Sequence, residues 1–240
     1  DRMRRAFTAL RSGRPGPVLL EVPGDVTDER FEGELTYRPV PRLRVAADPE
    51  AVRDAARLLG RAERPVIVAG QGVLYAEASD ELRTVAELVT APVVTTLLGK
   101  SAFPENHSLA LGVAAYATTE TAARFLEQAD LILAVGTSLS VTLLTPTIAP
   151  NKQFIHATID PQDINKEYVA EVPVISDAKL FLLQLAEELK RQDHEQDPAR
   201  EQSVTSQIRE IKGAWLGQYR AKFESDQMPL NPYRVIGEFM

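Results

Sequence analysis

Three largely apolar runs dominate the alternation of hydrophobic and polar positions along this chain. Leu131–Val135 and Pro65–Ala69 contain no polar side chain, and Phe154–Ile159 carries only His156 and Thr158 among apolar residues. A strand that is apolar at odd and even positions alike has to be covered on both faces, as in a parallel sheet with helices on either side. Two runs stop at a glycine, in Gly136-Thr137-Ser138 and Gly70-Gln71-Gly72, and the third at Asp160-Pro161. Glycines and small polar residues at the carboxyl ends of such strands are how open α/β sheets make a ligand crevice. Pro92–Thr96 and Val172–Ile175 read as further strands.

Between the runs the apolar spacing changes to that of a helix. Asp48-Pro49-Glu50 supplies an N-cap, a proline for the first position and an acid for the first turn. Val52, Ala55, Ala56 and Leu59 follow as one stripe, and Gly60 is expected to end it. Ser79 is expected to cap a helix with Leu82, Val85, Ala86 and Val89 inward. Thr118 or Thr119 should cap another that presents Ala122, Ala123, Leu126 and Ala129, with Phe125. Asp177 should cap a third, running to about Lys190 with Leu180, Leu183 and Leu185 toward the sheet. Alternating strands and helices predict an α/β fold: a doubly wound, parallel, six-stranded, Rossmann-like sheet with right-handed crossovers. In a sheet of order 3-2-1-4-5-6 the order reverses between the strands ending at Gly70 and Gly136, and ligands sit at such a reversal.

The flanks read differently. Met3, Phe7 and Leu10 share a helix face, Gly13–Gly16 forms a turn, and Pro17–Pro23 has the pattern of a strand with no earlier strand to pair with. Residues 1–24 are therefore expected to be disordered, repacked or used in self-association. Residues 25–47 read as a polar linker, 48–190 as the central domain and 191–228 as a charged linker and helix, with Val204, Ile208, Ile211, Trp215, Tyr219 and Phe223 on one stripe. Residues 229–240 start another helix, so the expectation is a chain truncated at both ends.

Composition narrows the chemistry. A net charge of -7 gives no general attraction for nucleic acid or anionic membranes. With no cysteine, disulfides, thiolate-bound metals and thiol nucleophiles drop out. No apolar run approaches the roughly 20 residues of a membrane span, and no signal peptide is evident, so a cytoplasmic location is expected. His107, His156 and His194 lack metal or triad spacing and read as structural or solvated. The arginines at 2, 4, 5, 11 and 14 read as a solvated helix face.

Gly70-Gln71-Gly72 gives two glycines of a dinucleotide fingerprint, with Tyr75 where the third would stand. Gly99-Lys100-Ser101 resembles the end of a P-loop, but Val94 replaces its first glycine and Pro104 interrupts the helix that should follow. Asp160 suits either a ribose hydroxyl or a helix N-cap. The candidate nucleotide-binding set is Gly70 and Gly72 for backbone approach to a pyrophosphate, Gly136, Thr137 and Ser138 after the central strand, Asp160 for a ribose, and Thr95 and Thr96 on the other side.

Taken together in order and spacing, several segments resemble the middle domain of thiamine-diphosphate-dependent enzymes of the acetolactate synthase, pyruvate oxidase and oxalyl-CoA decarboxylase type. They are Arg64–Gly72, Ala91–His107, Ala129–Gly136 and Ile159–Ile164, within a match from about Asp48 to Lys190. Arg14–Pro23 is similar to the end of the family's N-terminal pyrimidine-binding domain, and Pro229–Pro232 to the start of its C-terminal diphosphate-binding domain. The resemblance implies thiamine diphosphate and magnesium in a parent enzyme acting on a 2-oxo acid or acyl-CoA. It also implies partnership with the two other domains of the chain and a homo-oligomer. In the family a first-domain Glu activates the thiamine and a Gly-Asp-Gly…Asn segment binds the metal and diphosphate. Neither stands in this sequence, so no catalytic or metal-binding residue is assigned and the fragment alone is expected to be inactive. Some members bind FAD or ADP in the middle domain, FAD with an Arg and an Asp after the central-strand glycine. Ser138 and Ser140 occupy those positions, which ranks a weakly held ADP-like ligand, or an empty cleft, above FAD. A stand-alone nucleotide-binding module is the alternative. An NAD-dependent deacylase of similar fold is disfavoured by the absence of zinc-binding cysteines.

Overall fold

The apolar runs lie side by side at the centre of one sheet. The strands, in chain order, are β1 (Pro65–Ala69), β2 (Val93–Thr96), β3 (Ala110–Ala114), β4 (Leu131–Val135), β5 (Gln153–Thr158) and β6 (Val172–Ile175). The sheet order is β3-β2-β1-β4-β5-β6 and every pair is parallel. Ile67 is in register with Val93 on one side and Leu133 on the other, so β1 is the hub. The computed structural model describes residues 2–34, 36–115, 118–142, 145, 148–149, 151–192 and 197–239; His194 falls outside them.

The helices are α1 (Arg2–Arg11), α2 (Gly24–Thr27), α3 (Pro49–Arg61), α4 (Gln71–Ala76), α5 (Ser79–Leu88), α6 (Glu120–Gln128), α7 (Ala178–Arg191), α8 (Pro198–Phe223) and α9 (Pro232–Phe239). The period of two along each strand divides the core into two layers. Ile67, Ala69, Leu133, Val135 and Ile155 face α3, α5 and α7, whereas Val66, Val68, Ile132, Ala134 and Phe154 face α6 and α8. Strands buried on both faces need apolar residues throughout, which is why these runs had no polar side.

Caps set the helix starts. The Asp48 side chain accepts from the amides of Glu50 (2.7 Å) and Ala51 (3.4 Å), and Asp177 does the same for Lys179 (3.0 Å) and Leu180 (3.3 Å). Of the two candidate threonines it is Thr119 that caps α6, through the Ala122 amide at 3.2 Å. At the other end of α6, buried Lys152 donates to the carbonyls of Glu127 and Ala129, both at 2.7 Å. Burial pushes its ammonium below the ordinary value, against the opposing pull of Glu127 and Asp130.

Several expectations need correction. Ser79 lies inside α5; its N-cap is Ala78, with no side-chain cap. Ala123 is exposed and Thr121 is buried in its place, because the α6 stripe is turned by part of a step. Leu183 is 41% exposed, and Phe181 and Leu182 take the inward positions of α7. Helix α3 runs one residue past Gly60, to Arg61. Helix α8 starts at Pro198, with Asp197 as N-cap, so it takes in part of the charged stretch that follows α7. Of its stripe only Ile208 and Ile211 are buried; Trp215 is 39% exposed and Tyr219 stacks on Tyr233 of α9, ring centroids 5.4 Å apart.

Residues 17–23 form no strand, since no neighbouring strand among the described residues offers them a ladder. Leu19 is 93% exposed. The segment before them is packed on the linker: Phe7 meets Tyr37 with ring centroids 5.8 Å apart, and Arg11 donates to the Val40 carbonyl at 2.9 Å.

Candidate functional site

The carboxyl ends of β1 and β4 meet through backbone alone. Gly70 N–H donates to the Val135 carbonyl (2.9 Å), Gly72 N–H to the Gly136 carbonyl (2.8 Å), and Gly136 N–H to the Ala157 carbonyl (2.9 Å). There is no room here for a side chain. A Cβ at Gly70 would fall 2.3 Å from the Gly136 oxygen, one at Gly72 2.7 Å from Gly136 Cα, and one at Gly99 2.5 Å from the Ala69 oxygen. Gly136 also has φ +62°, in the left-handed region that favours glycine. These glycines lock three strand ends together, and the Gly70 and Gly72 amides are already engaged with protein.

Above this knot opens a cleft of about 890 Å³, within the usual range for small-molecule sites. Its floor includes Gly72, Thr96, Gly136, Thr137 and Ser138; Leu10, Arg14, Arg42 and Leu43 close it from the N-terminal segment and linker. Five of the eight candidate residues therefore border one space. Gly70 lies in the knot beneath, and Thr95 is buried in β2. Asp160 caps a single 3-10 turn (Pro161–Asp163) by accepting from the Gln162 amide at 3.0 Å, and stands 3.5 Å from the Arg14 guanidinium. Of the two roles open to Asp160, the cap is the one this geometry contains.

The loop after β4 is a chain of hydroxyls. Thr137 Oγ1 accepts from the Leu139 amide at 3.3 Å, and Ser140 donates to Ser138 Oγ at 3.1 Å. Lys166 donates to Ser140 Oγ at 2.9 Å. Buried His156 on β5 sits 2.9 Å from the Thr137 carbonyl, which can only accept, so Nε2 carries the proton. Burial lowers the His156 pKa, outweighing the Thr137 hydrogen bond and the Asp163 charge, and keeps the ring neutral at pH 7. Its role is to hold the loop.

The charged groups of the cleft come from elsewhere in the chain. Arg14 reaches Asp163 at 3.2 Å across 149 positions, and buried Asp163 also accepts from Thr158 Oγ1 at 3.1 Å. Arg42 donates to the Tyr75 carbonyl. No cation directly follows Gly136 in sequence; Lys166 and Arg14 reach this edge through the fold, and Arg14 and Asp163 lie in Arg14–Pro23 and Ile159–Ile164, segments that resemble the family without marking either residue as part of the cleft. Among the described residues no group of three or more His, Asp or Glu side chains is placed to hold a metal, and no helix is long and apolar enough to cross a membrane.

Comparison with known proteins gives a consistent result. The family described as "Thiamine pyrophosphate enzyme, central domain" matches residues 52–185. The chain is 34% identical over 257 aligned residues to a probable acetolactate synthase large subunit of Methanocaldococcus jannaschii, covering 100% of this chain and 41% of that protein. It is 38% identical over 195 aligned residues to the acetolactate synthase large subunit of Corynebacterium glutamicum, covering 78% and 31%. Among solved structures, a protein from Mycobacterium smegmatis described as thiamin diphosphate-dependent superposes with TM-score 0.67 at 26% identity, over 78% of this chain and 36% of that one. The chain thus spans well under half the length of these relatives.

Proposed function

The chain belongs to the thiamine pyrophosphate enzyme family, of which it is the central domain, and on that premise we propose that it is the non-catalytic middle of an acetolactate synthase-like enzyme acting on 2-oxo acids. The observation that carries the reading is the identity to acetolactate synthase large subunits over the whole chain. Thiamine diphosphate does not fit the residues present: the Gly-Asp-Gly…Asn segment that would hold its metal and diphosphate is not among these 240 residues. No step of the reaction is therefore assigned to them. Their part is to bind and orient: the sheet carries the domain's contacts and the cleft takes a nucleotide.

For the cleft we favour an ADP-like ligand over FAD. The Gly70 and Gly72 amides are spent on protein, so the diphosphate belongs at Ser138, Ser140 and Lys166, where a charge-assisted bond is on hand. Asp160 and Asp163 are drawn to Arg14, and a ribose would have to displace that contact. The test has two parts. The full-length protein, given thiamine diphosphate and magnesium, should convert pyruvate to acetolactate; absence of 2-oxo acid turnover would overturn the enzyme reading. Purified without added ligand it should be colourless and bind ADP more tightly than FAD by calorimetry; a yellow protein or the reverse ranking would overturn the ligand assignment.

A further inference from the structure

A second cavity, about 260 Å³, lies at the opposite, amino edge of the sheet. It is bounded by the start of β1 at Glu63–Val66, by Thr90 and Pro92 ahead of β2, by Phe125 and Gln128 of α6, and by α8. Helix α8 contributes Arg200, Ser203, Val204 and Gln207, the i, i+3, i+4, i+7 face of its first two turns.

Two arginines here are unusual. Arg200 uses Nη1 on the Ala62 carbonyl at 3.3 Å, but its Nε is buried without a hydrogen-bond partner. A buried donor left unsatisfied is costly and calls for a partner. Arg64 lines the same cavity, and its side chain makes no hydrogen bond or ion pair with any described residue. Its backbone is fixed, because Asp130 accepts from the amides of Glu63 (2.7 Å) and Arg64 (3.0 Å). Glu63 is exposed and forms no ion pair with either arginine. Thr90 is buried at φ +47°, a conformation a β-branched residue adopts only when its surroundings impose it. Against these polar groups stand buried Val66 and Phe125 and half-buried Val204.

We propose that this cavity binds a small organic carboxylate, its charge taken by the Arg200 and Arg64 guanidinium groups and its short apolar body resting on Val66, Phe125 and Val204. A guanidinium matches a planar carboxylate with two parallel donors, which favours this class over a tetrahedral anion. The volume suits a body of a few carbons and is too small for the nucleotide proposed for the carboxyl-edge cleft.

The test is calorimetric titration of the full-length protein with isobutyrate, its neutral isostere isobutyramide, and inorganic phosphate. Isobutyrate should bind one to one and at least about tenfold more tightly than either comparator, in line with the strength of charge-assisted pairs. Arg200→Gln should weaken it about tenfold or more, and Arg64→Gln several-fold. Should Arg200→Gln not fold, the exposed Arg64 variant carries the test. Saturable binding with that ranking, lost in the variants, supports the site. No saturable heat, equal binding of isobutyramide, tighter binding of phosphate, or affinity unchanged in the variants would overturn it and leave a water-filled cavity.

Discussion

Gly70→Ala separates two readings of the glycines at the carboxyl edge. The added methyl would sit 2.3 Å from the Gly136 oxygen, 2.6 Å from Thr137 Cβ and 2.7 Å from Thr137 Cα. Carbon–carbon contacts are comfortable at about 3.5–4.0 Å, so the backbone at 136–137 must retreat by about 1 Å. That stretch carries the 2.8 Å bond from Gly72 and the 2.9 Å bond from His156. Overpacking costs about 1–3 kcal/mol and each of the two weakened hydrogen bonds about 1 kcal/mol, giving about 3–5 kcal/mol in all. For a chain of this size that lowers the melting temperature by about 6–20 °C. Gly213→Ala is the matched control: nothing lies within 4 Å of its added Cβ, and the exposed interior of α8 should gain up to about 1 kcal/mol. Thermal unfolding followed by circular dichroism reads both. If Gly70→Ala melts within about 2 °C of the parent protein while ADP binding is lost, the glycine serves ligand approach and the packing argument fails.

Lys166→Ala should weaken ADP about tenfold with an unchanged melting temperature, the loss expected for one charge-assisted bond; calorimetry that finds ADP affinity unaltered would remove Lys166 from the site. Asp177→Ala removes the acceptor for the Lys179 and Leu180 amides and should cost about 1–2 kcal/mol in urea unfolding, with loss below about 0.5 kcal/mol refuting the cap. His156 has its folded pKa depressed below the ordinary 6.5, so its contribution is intact above that pH and declines as pH falls and the unfolded chain takes up the proton. Urea midpoints should therefore drop more steeply between pH 7.5 and 5.5 in the parent protein than in His156→Gln; equal slopes would contradict the assignment. These 240 residues alone, supplied with thiamine diphosphate and magnesium, should release no acetolactate from pyruvate, and measurable turnover would show that catalytic groups are present after all.

Much of the architecture was legible in the order of residues because it depends on local and periodic signals. A central strand buried on both faces is apolar throughout, as β1 and β4 are, and Asp48 and Asp177 cap within their own first turns. Right-handed crossovers follow from βαβ connectivity, and the observed order β3-β2-β1-β4-β5-β6 is the one supposed for a Rossmann-like sheet. β3 escaped notice because Gly112, at φ +94°, interrupts a short alanine-rich run, and its pairing slips between Val93 and Val94. The Pro17–Pro23 run has strand residues, but a strand exists only with a neighbour to bond, a property of the assembled sheet.

The site divides the same way. Glycines and hydroxyls at strand ends can be found from sequence, since each sits beside its own apolar run. Whether a glycine meets a phosphate or another backbone is decided by what the fold brings opposite it, and for Gly70 that is Gly136 and Thr137. Arg14 against Asp163 in the cleft, and Lys166 against Ser140 of its wall, join residues 149 and 26 positions apart. Arg200 and Arg64 share the amino-edge cavity only because α8 crosses back over the start of β1. Sequence by itself therefore determined the layers, the parallel sheet and the family resemblance, which rest on short-range patterns. Only the tertiary structure decided which charges face each cavity, because Coulomb and hydrogen-bond partners are chosen by distance in space, and that distance carries no periodic mark along the chain.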